Sequence, residues 1–121
     1  TMLDLMGFSG ALPAAHGENL ADAFRSRKAE TNRDRIVYIR STEYKSRWVA
    51  AMNDRYKLVI STEDEPWLFD LEKDPEELVN WAEDAEYAAV RSELTMAMVE
   101  QMRASDDPVL KMDAYRKWLG L

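Results

Sequence analysis

Residues 67–82, Trp-Leu-Phe-Asp-Leu-Glu-Lys-Asp-Pro-Glu-Glu-Leu-Val-Asn-Trp-Ala, restrict the fold more than any other stretch of this chain. Trp67 and Phe69 alternate with Leu68 and Asp70, the period of a half-buried strand. Asp74-Pro75 then stops that strand, because proline has no N–H for a ladder and restricts the residue before it. The spacing predicts an acidic turn and then a helix, with Glu76 and Glu77 favoured near the helix N-terminus. A strand that hands over to a helix in this way calls for a sheet with a helix layer against it.

The rest of the chain supplies both layers. Residues 35–40 are β-branched and aromatic with a continuous apolar centre, as in a buried strand. Residues 47–52 and 56–61 flank Asn53-Asp54, whose side chains suit a tight hairpin turn. Glu63–Pro66 separates the third strand from the fourth at 67–71, so the strands form an antiparallel meander. From Ala85 to Met102, Tyr87, Val90, Leu94, Met98 and Met102 recur every three or four residues behind an N-cap at Asp84. A second helix is expected from Pro108 to Leu119, capped by Asp107, with Val109, Met112, Tyr115 and Trp118 or Leu119 on its apolar stripe. The expected fold class is α+β: a four-stranded antiparallel sheet, a long helix packed across it, and an extra C-terminal helix. The aromatic side chains Trp48, Trp67, Trp81 and Trp118 each adjoin apolar residues and are expected to be buried.

Residues 1–30 read differently. Thr1 to Gly7 allow two helical turns at most, too few to be stable without a larger body to pack on. Gly10, Pro13 and Gly17 make 9–19 a loop, and 20–28 suit a short helix. The expected division is a severed helix end and linker over 1–30 and an α+β domain over 31–121.

At 121 residues with 46% hydrophobic and 32% charged residues, the chain can bury a core and is not of disordered composition. No apolar run approaches the roughly 20 residues of a membrane span. The absence of cysteine excludes disulfides, thiolate metal sites and cysteine nucleophiles within the chain. Net charge is −7, yet residues 25–57 hold ten basic residues against four acidic ones, a local +6 that leaves −13 for the remainder. The overall charge argues against nucleic acid as a partner, since phosphate binding depends on basic residues displacing counterions.

Five segments, in one order along the chain, resemble sulfatases. Thr1 to Gly7 (Thr-Met-Leu-Asp-Leu-Met-Gly) resembles the end of the family's Pro-Thr-Leu-Leu-Asp-Leu-Ala-Gly helix, and Gly17 to Phe24 its Gly-x-Ser-Leu segment. Arg33 to Ile39 is similar to the Arg-Asp-x-Val-Tyr strand and Arg55 to Val59 to the Arg-Tyr-Lys-Leu-Ile strand. Leu68 to Ala82 resembles the family's C-terminal signature, with Phe69 for its Tyr and Trp81 for its Leu. The family often carries Val-Arg-Thr where this chain has Ala51-Met52-Asn53. A phosphonate or phosphate monoester hydrolase of the same superfamily would share these features.

The resemblance implies the C-terminal domain of a sulfatase rather than its catalytic centre. Sulfatases use a formylglycine made from the first residue of Cys/Ser-x-Pro-x-Arg, beside a bound calcium ion. This chain has no cysteine, and none of its seven serines has Pro two residues later. The resemblance therefore implies a chain with no catalytic or metal-binding residues, calcium held in a missing catalytic domain, and that N-terminal catalytic domain as the partner. An apolar sheet face should then be exposed, or covered by a homodimer. His16-Gly17-Glu18 imitates an active-site Asp-His-Gly-Glu, but it follows the Leu-Asp-Leu helix instead of preceding it, and Ala15 occupies the Asp position. Asp70, Glu72, Asp74, Glu76 and Glu77 imitate a calcium loop, but Pro75 and Trp81 fall where an EF-hand needs Gly and Glu.

Residues 41–47, Ser-Thr-Glu-Tyr-Lys-Ser-Arg, form a polar, cationic and aromatic connection with no core pattern. Tyr44, Lys45 and Arg47 are the candidate substrate-binding residues, placed to meet an anionic substrate where the domain lines the cleft. A different class of function is a stand-alone module that binds a polyanion or another protein through the basic half. The cellular compartment stays open between periplasmic, secreted and cytoplasmic.

Overall fold

The computed structural model describes residues 1–8, 19–26, 35–41 and 47–121. They fall into two compact units, Thr1–Asn32 and Arg33–Leu121. In the second, β1 (Val37–Arg40), β2 (Trp48–Met52), β3 (Tyr56–Ser61) and β4 (Trp67–Asp70) form one sheet in that order, every neighbouring pair antiparallel. The β2–β3 hairpin turns as its sequence predicts, with Asn53 Oδ1 accepting from the N–H groups of Arg55 at 3.0 Å and Tyr56 at 2.7 Å.

Register sorts the side chains into two faces. One row across the inner face is Tyr38, Ala51, Leu58 and Leu68; the next is Arg40, Val49 and Ile60; Tyr56 pairs with Asp70 in a third. Helix α3 (Ala88–Ala104) buries Leu94, Met98, Val99 and Met102 in the core with these strands. Truncating a fully buried Leu94 to Ala would cost about 3 kcal/mol. Asp84 caps the approach to α3, its carboxylate accepting from the Glu86 N–H at 2.9 Å, although the first turn, Ala85–Tyr87, is a 3-10 turn.

Two expectations about these elements need correction. No helix directly follows Asp74-Pro75. Glu77 adopts a left-handed backbone (φ 57°) that a helix cannot contain, and the chain instead runs beside β4 until Asp84. Strand β1 is also not buried on both sides: Tyr38 faces the core, but Val37 and Ile39 are exposed on the outer face.

The C-terminal segment completes the core. Helix α3 ends where Asp106 takes a positive φ of 47° and the Asp107 N–H donates to the Met102 carbonyl at 2.8 Å, a left-handed stop more often made by glycine. Asp107 then caps a 3-10 turn, Pro108–Lys111, by accepting from the Val109 N–H at 2.9 Å. Met112 is extended, so the expected single helix is split, and α4 covers only Asp113–Leu119. Val109, Tyr115 and Leu119 from these turns are buried in the same core as Leu58 and Ile60. The Asp107 carboxylate also accepts from the Tyr38 hydroxyl at 3.0 Å and lies 3.5 Å from Arg40, tying the C-terminal segment to β1. Burial, then that hydrogen bond, push the Tyr38 phenol well above its ordinary pKa.

In the first unit, α1 (Met2–Leu5) and α2 (Ala21–Ser26) are the short helical pieces the sequence predicts. Arg25 pairs with Asp4 at 2.7 Å, and Thr1 Oγ1 accepts from the Leu20 N–H at 2.8 Å. Asp4 is held below its usual carboxylate range, first by Arg25 and then by Asn19. Met2, Met6, Phe8 and Phe24 are exposed.

Candidate functional site

The stretch after β4 is held by a buried carboxylate. Asp70 occupies an inner-face position where alternation from Leu68 would put an apolar residue, and it is fully buried. Arg55, at the start of β3, reaches it with Nε at 3.1 Å and Nη2 at 2.9 Å, a two-point match between guanidinium and carboxylate. The Tyr87 hydroxyl donates to Asp70 at 3.0 Å while accepting from Lys73 Nζ at 2.8 Å, and the N–H groups of Glu72 and Lys73 point at the same carboxylate. Arg55 foremost, helped by these donors and opposed by burial, lowers the Asp70 pKa to about 2. The Tyr87 ring stacks on Trp81 at 5.2 Å and meets Tyr56 edge-on at 6.2 Å, fixing the phenol that serves Asp70.

Downstream acids and amides are committed in the same way. Asp74 accepts from the Val79 N–H at 2.7 Å, and Lys57 pairs with Glu77. Asn80 Oδ1 accepts from the N–H groups of Leu68 at 2.9 Å and Ala82 at 3.0 Å while its Nδ2 donates to the Pro66 carbonyl at 3.1 Å. The Trp81 N–H donates to the Leu68 carbonyl at 2.8 Å. These side chains shape a turn and fasten it to β4. They do not fit a calcium site, since Arg55, Lys57 and backbone donors occupy the carboxylates. Among the described residues no three His, Cys, Asp or Glu side chains gather as a metal would require.

The opposite, outer face of the sheet has another character. Val37, Met52, Lys57 and Phe69 form one row across it, and Ile39, Ala50, Val59 and Trp67 the next; Trp48 and Ser61 begin a third. Val37, Ile39, Trp48 and Trp67 remain exposed, and Leu78 and Val79 add to the exposed apolar surface of the unit. Trp48 and Trp67 therefore contradict the expected burial of the tryptophans, because the register gives the helix-facing side of β2–β4 to Val49, Leu58, Ile60 and Leu68 instead. Trp81 and Trp118 are partly buried against the core as expected.

Tyr44 and Lys45 lie outside the described residues. Arg47 is exposed and is one of the residues lining a groove of about 340 Å³, with Trp48, Val59, Ser61, Trp67, Phe69, Glu63 and Asp64. Sequence reasoning missed this groove, since it arises from strands 48–52, 56–61 and 67–70 being brought into register. The alternation of Trp67 with Leu68 was the available signal, once the core side of β4 is known.

The sequence model of the N-sulphoglucosamine sulphohydrolase C-terminal family matches residues 1–104. No curated protein sequence gives a significant match. Among solved structures, the chain is similar to BT1596, a 2-O GAG sulfatase, at 25% identity and a TM-score of 0.73, over 98% of this chain and 27% of that one. It is also similar to BT33494S-sulf, from work on glycosaminoglycan metabolism in Bacteroides thetaiotaomicron, at 26% identity and a TM-score of 0.69, over 89% and 26% of the two chains. BT4656, solved with its substrate D-glucosamine-2-N,6-O-disulfate, shares the fold at 24% identity and a TM-score of 0.69, over 89% and 24%. This chain thus spans about a quarter of the length of the proteins it matches.

Proposed function

We propose, since this chain belongs to the N-sulphoglucosamine sulphohydrolase C-terminal family, that it is the non-catalytic C-terminal domain of a sulfatase, docking on an N-terminal catalytic domain and lining one wall of its substrate cleft. The outer sheet face carries this reading. Val37, Ile39 and Met52 line the β1–β2 side of a surface that its own helices do not cover, and contiguous exposed apolar surface of this kind marks an interface. A partner about three times the length of this chain is what the similar sulfatases supply in the remainder of their chains.

In that arrangement the nucleophile and the calcium belong to the catalytic domain. The sequence supports this division, having no Cys/Ser-x-Pro-x-Arg. The chain's contribution is positional: the Asp70 network fixes the turn after β4, and residues 41–47 approach the cleft, with Tyr44, Lys45 and Arg47 meeting the anionic substrate.

Co-expression with the catalytic domain of the parent tests the docking. The expected result is a stable complex that is lost when Val37 and Ile39 are both replaced by Asp. A chain that stays monomeric beside that domain overturns the reading. A concentration-dependent dimer abolished by the same double substitution overturns it too, and assigns the face to a second copy.

A further inference from the structure

A groove of about 480 Å³ lies between α3 and α4 on the helix side of the sheet, away from the proposed docking face. Ala88, Ser92 and Met96, four residues apart, form one stripe of α3 that makes its first wall. Two of the three are small, which leaves open the space that longer side chains would fill. Trp118 and Leu119 of α4 make the second wall, and Leu58 and Ile60 of β3 close the floor. The volume lies in the range of small-molecule pockets, about 300–1,000 Å³.

Arg91 and Lys117 bring two cations to this groove, in a chain whose net charge is −7. Arg91 is anchored through one nitrogen: Nη1 donates to the Ala82 carbonyl at 2.6 Å and to Glu83 at 3.3 Å. That leaves Nε and Nη2, the edge whose two parallel N–H groups match a carboxylate, without a partner among the described residues. Lys117 holds its ammonium 4.1 Å from the centre of the Trp118 ring and pairs with no carboxylate among the described residues. Glu83 is the one acidic residue lining the groove, and Arg91 already engages it. Two cations against one acid suit a monoanion, whereas a dianion such as inorganic sulfate would exceed that charge and meet Glu83 as well. The walls select the rest of the ligand. Met96, Trp118 and Leu119 offer apolar surface that a bare anion would leave unfilled. A peptide would bring N–H and C=O groups for which two helix walls offer no ladder, and burying them without partners is costly.

We infer that this groove binds a small monocarboxylate with an apolar tail, its carboxylate on Arg91 and Lys117 and its tail along Met96, Trp118 and Leu119. The site is separate from the outer sheet face and from residues 41–47. It does not require the docking or cleft-lining reading to hold.

The test is a titration of the full chain with octanoate, followed by the methionine-methyl signals in NMR spectra, with octan-1-ol and acetate as probes that each lack one half of the ligand. Octanoate should shift the signal of Met96, which is 64% exposed, saturably. Octan-1-ol and acetate should bind about tenfold or more weaker, and inorganic sulfate at equal concentration should not displace octanoate. Lys117→Gln, at an exposed position, should weaken octanoate about fivefold with an unchanged far-ultraviolet spectrum, the loss expected for one hydrogen bond. Arg91→Lys, which keeps the charge but removes the two-point edge, should weaken it about tenfold. Absence of saturable binding, equal binding of octan-1-ol, displacement by sulfate, or unchanged affinity in Lys117→Gln would each overturn the inference. Shifts confined to residues of the outer sheet face would overturn it too.

Discussion

Asp70 and Asp107 are the two buried acidic side chains among the described residues, and the sheet holds them in different ways. Asp70 draws its cation from the adjoining strand: Arg55 is 15 residues away across one hairpin and makes two hydrogen bonds. Asp107 joins the opposite ends of the domain, 69 residues along the chain from the Tyr38 whose hydroxyl it binds. Its cation, Arg40, is more distant at 3.5 Å. The first carboxylate fixes a local turn by full charge pairing. The second closes the domain through mostly uncharged donors, and its segment owes its place to Val109, Tyr115 and Leu119 in the core. Buried acids of the same type can thus serve a charge-pairing role or a packing role, and substitutions should separate the two.

The largest effect is expected from deleting residues 105–121, which removes the buried side chains of Asp107, Val109, Tyr115 and Leu119 at once. The truncated chain should lose its cooperative thermal transition by circular dichroism. A sharp transition in that variant would reduce the C-terminal segment to an accessory and reverse the comparison. Next comes Arg55→Met, which leaves the Asp70 carboxylate buried without its cation and should cost about 3 kcal/mol in urea unfolding. Adding Asp70→Leu to that variant should restore part of the loss, because a well-packed apolar pair often replaces a buried ion pair without penalty. No recovery would mean that the Tyr87 and backbone hydrogen bonds, rather than the charge, do the holding.

Acid sharpens the contrast. The Asp70 pKa is lowered to about 2 in the folded chain from an ordinary 3.8. Its contribution to stability is therefore complete above about pH 4 and is lost as pH falls towards 2, since the unfolded chain takes up the proton first. Unfolding free energies measured between pH 5 and 2 should show a fall that Asp70→Asn flattens; equal slopes would remove Asp70 from the acid response. The smallest effect belongs to Tyr38→Phe, which deletes one hydrogen bond to Asp107 and should cost about 1 kcal/mol. A loss as large as that of Arg55→Met would show that Asp107 depends on a single phenol.

Much of this was legible in the sequence. The β3 range, the Asn53 turn, the caps at Asp84 and Asp107, and the buried sides of both C-terminal helical stretches follow from period and cap chemistry acting over a few residues. Burial of Asp70 was not, because an aspartate in an alternating strand reads as solvent-facing until register brings Arg55 beside it. The exposure of Trp48 and Trp67 was hidden for the converse reason: their size argues for burial, and only the sheet's inner rows decide which side they take. The turn after Pro75 misled because the glutamates suit a helix start, while Glu77 adopts a left-handed backbone. Of the three expected substrate-contacting residues, Arg47 meets the outer groove, and Tyr44 and Lys45 remain a proposal.

Asn80 has a consequence for how this sheet meets other chains. A terminal strand offers a row of backbone donors and acceptors, the template on which sheets add foreign strands and aggregate. At the middle of β4 that template is already filled: the Leu68 N–H is taken by the Asn80 amide and the Leu68 carbonyl by the Trp81 N–H. A fifth strand approaching along β4 would have to displace both before it could pair. The Asn80 side chain and the Trp81 N–H together close the middle of the last strand, and direct association of this domain towards its faces instead of its β4 edge.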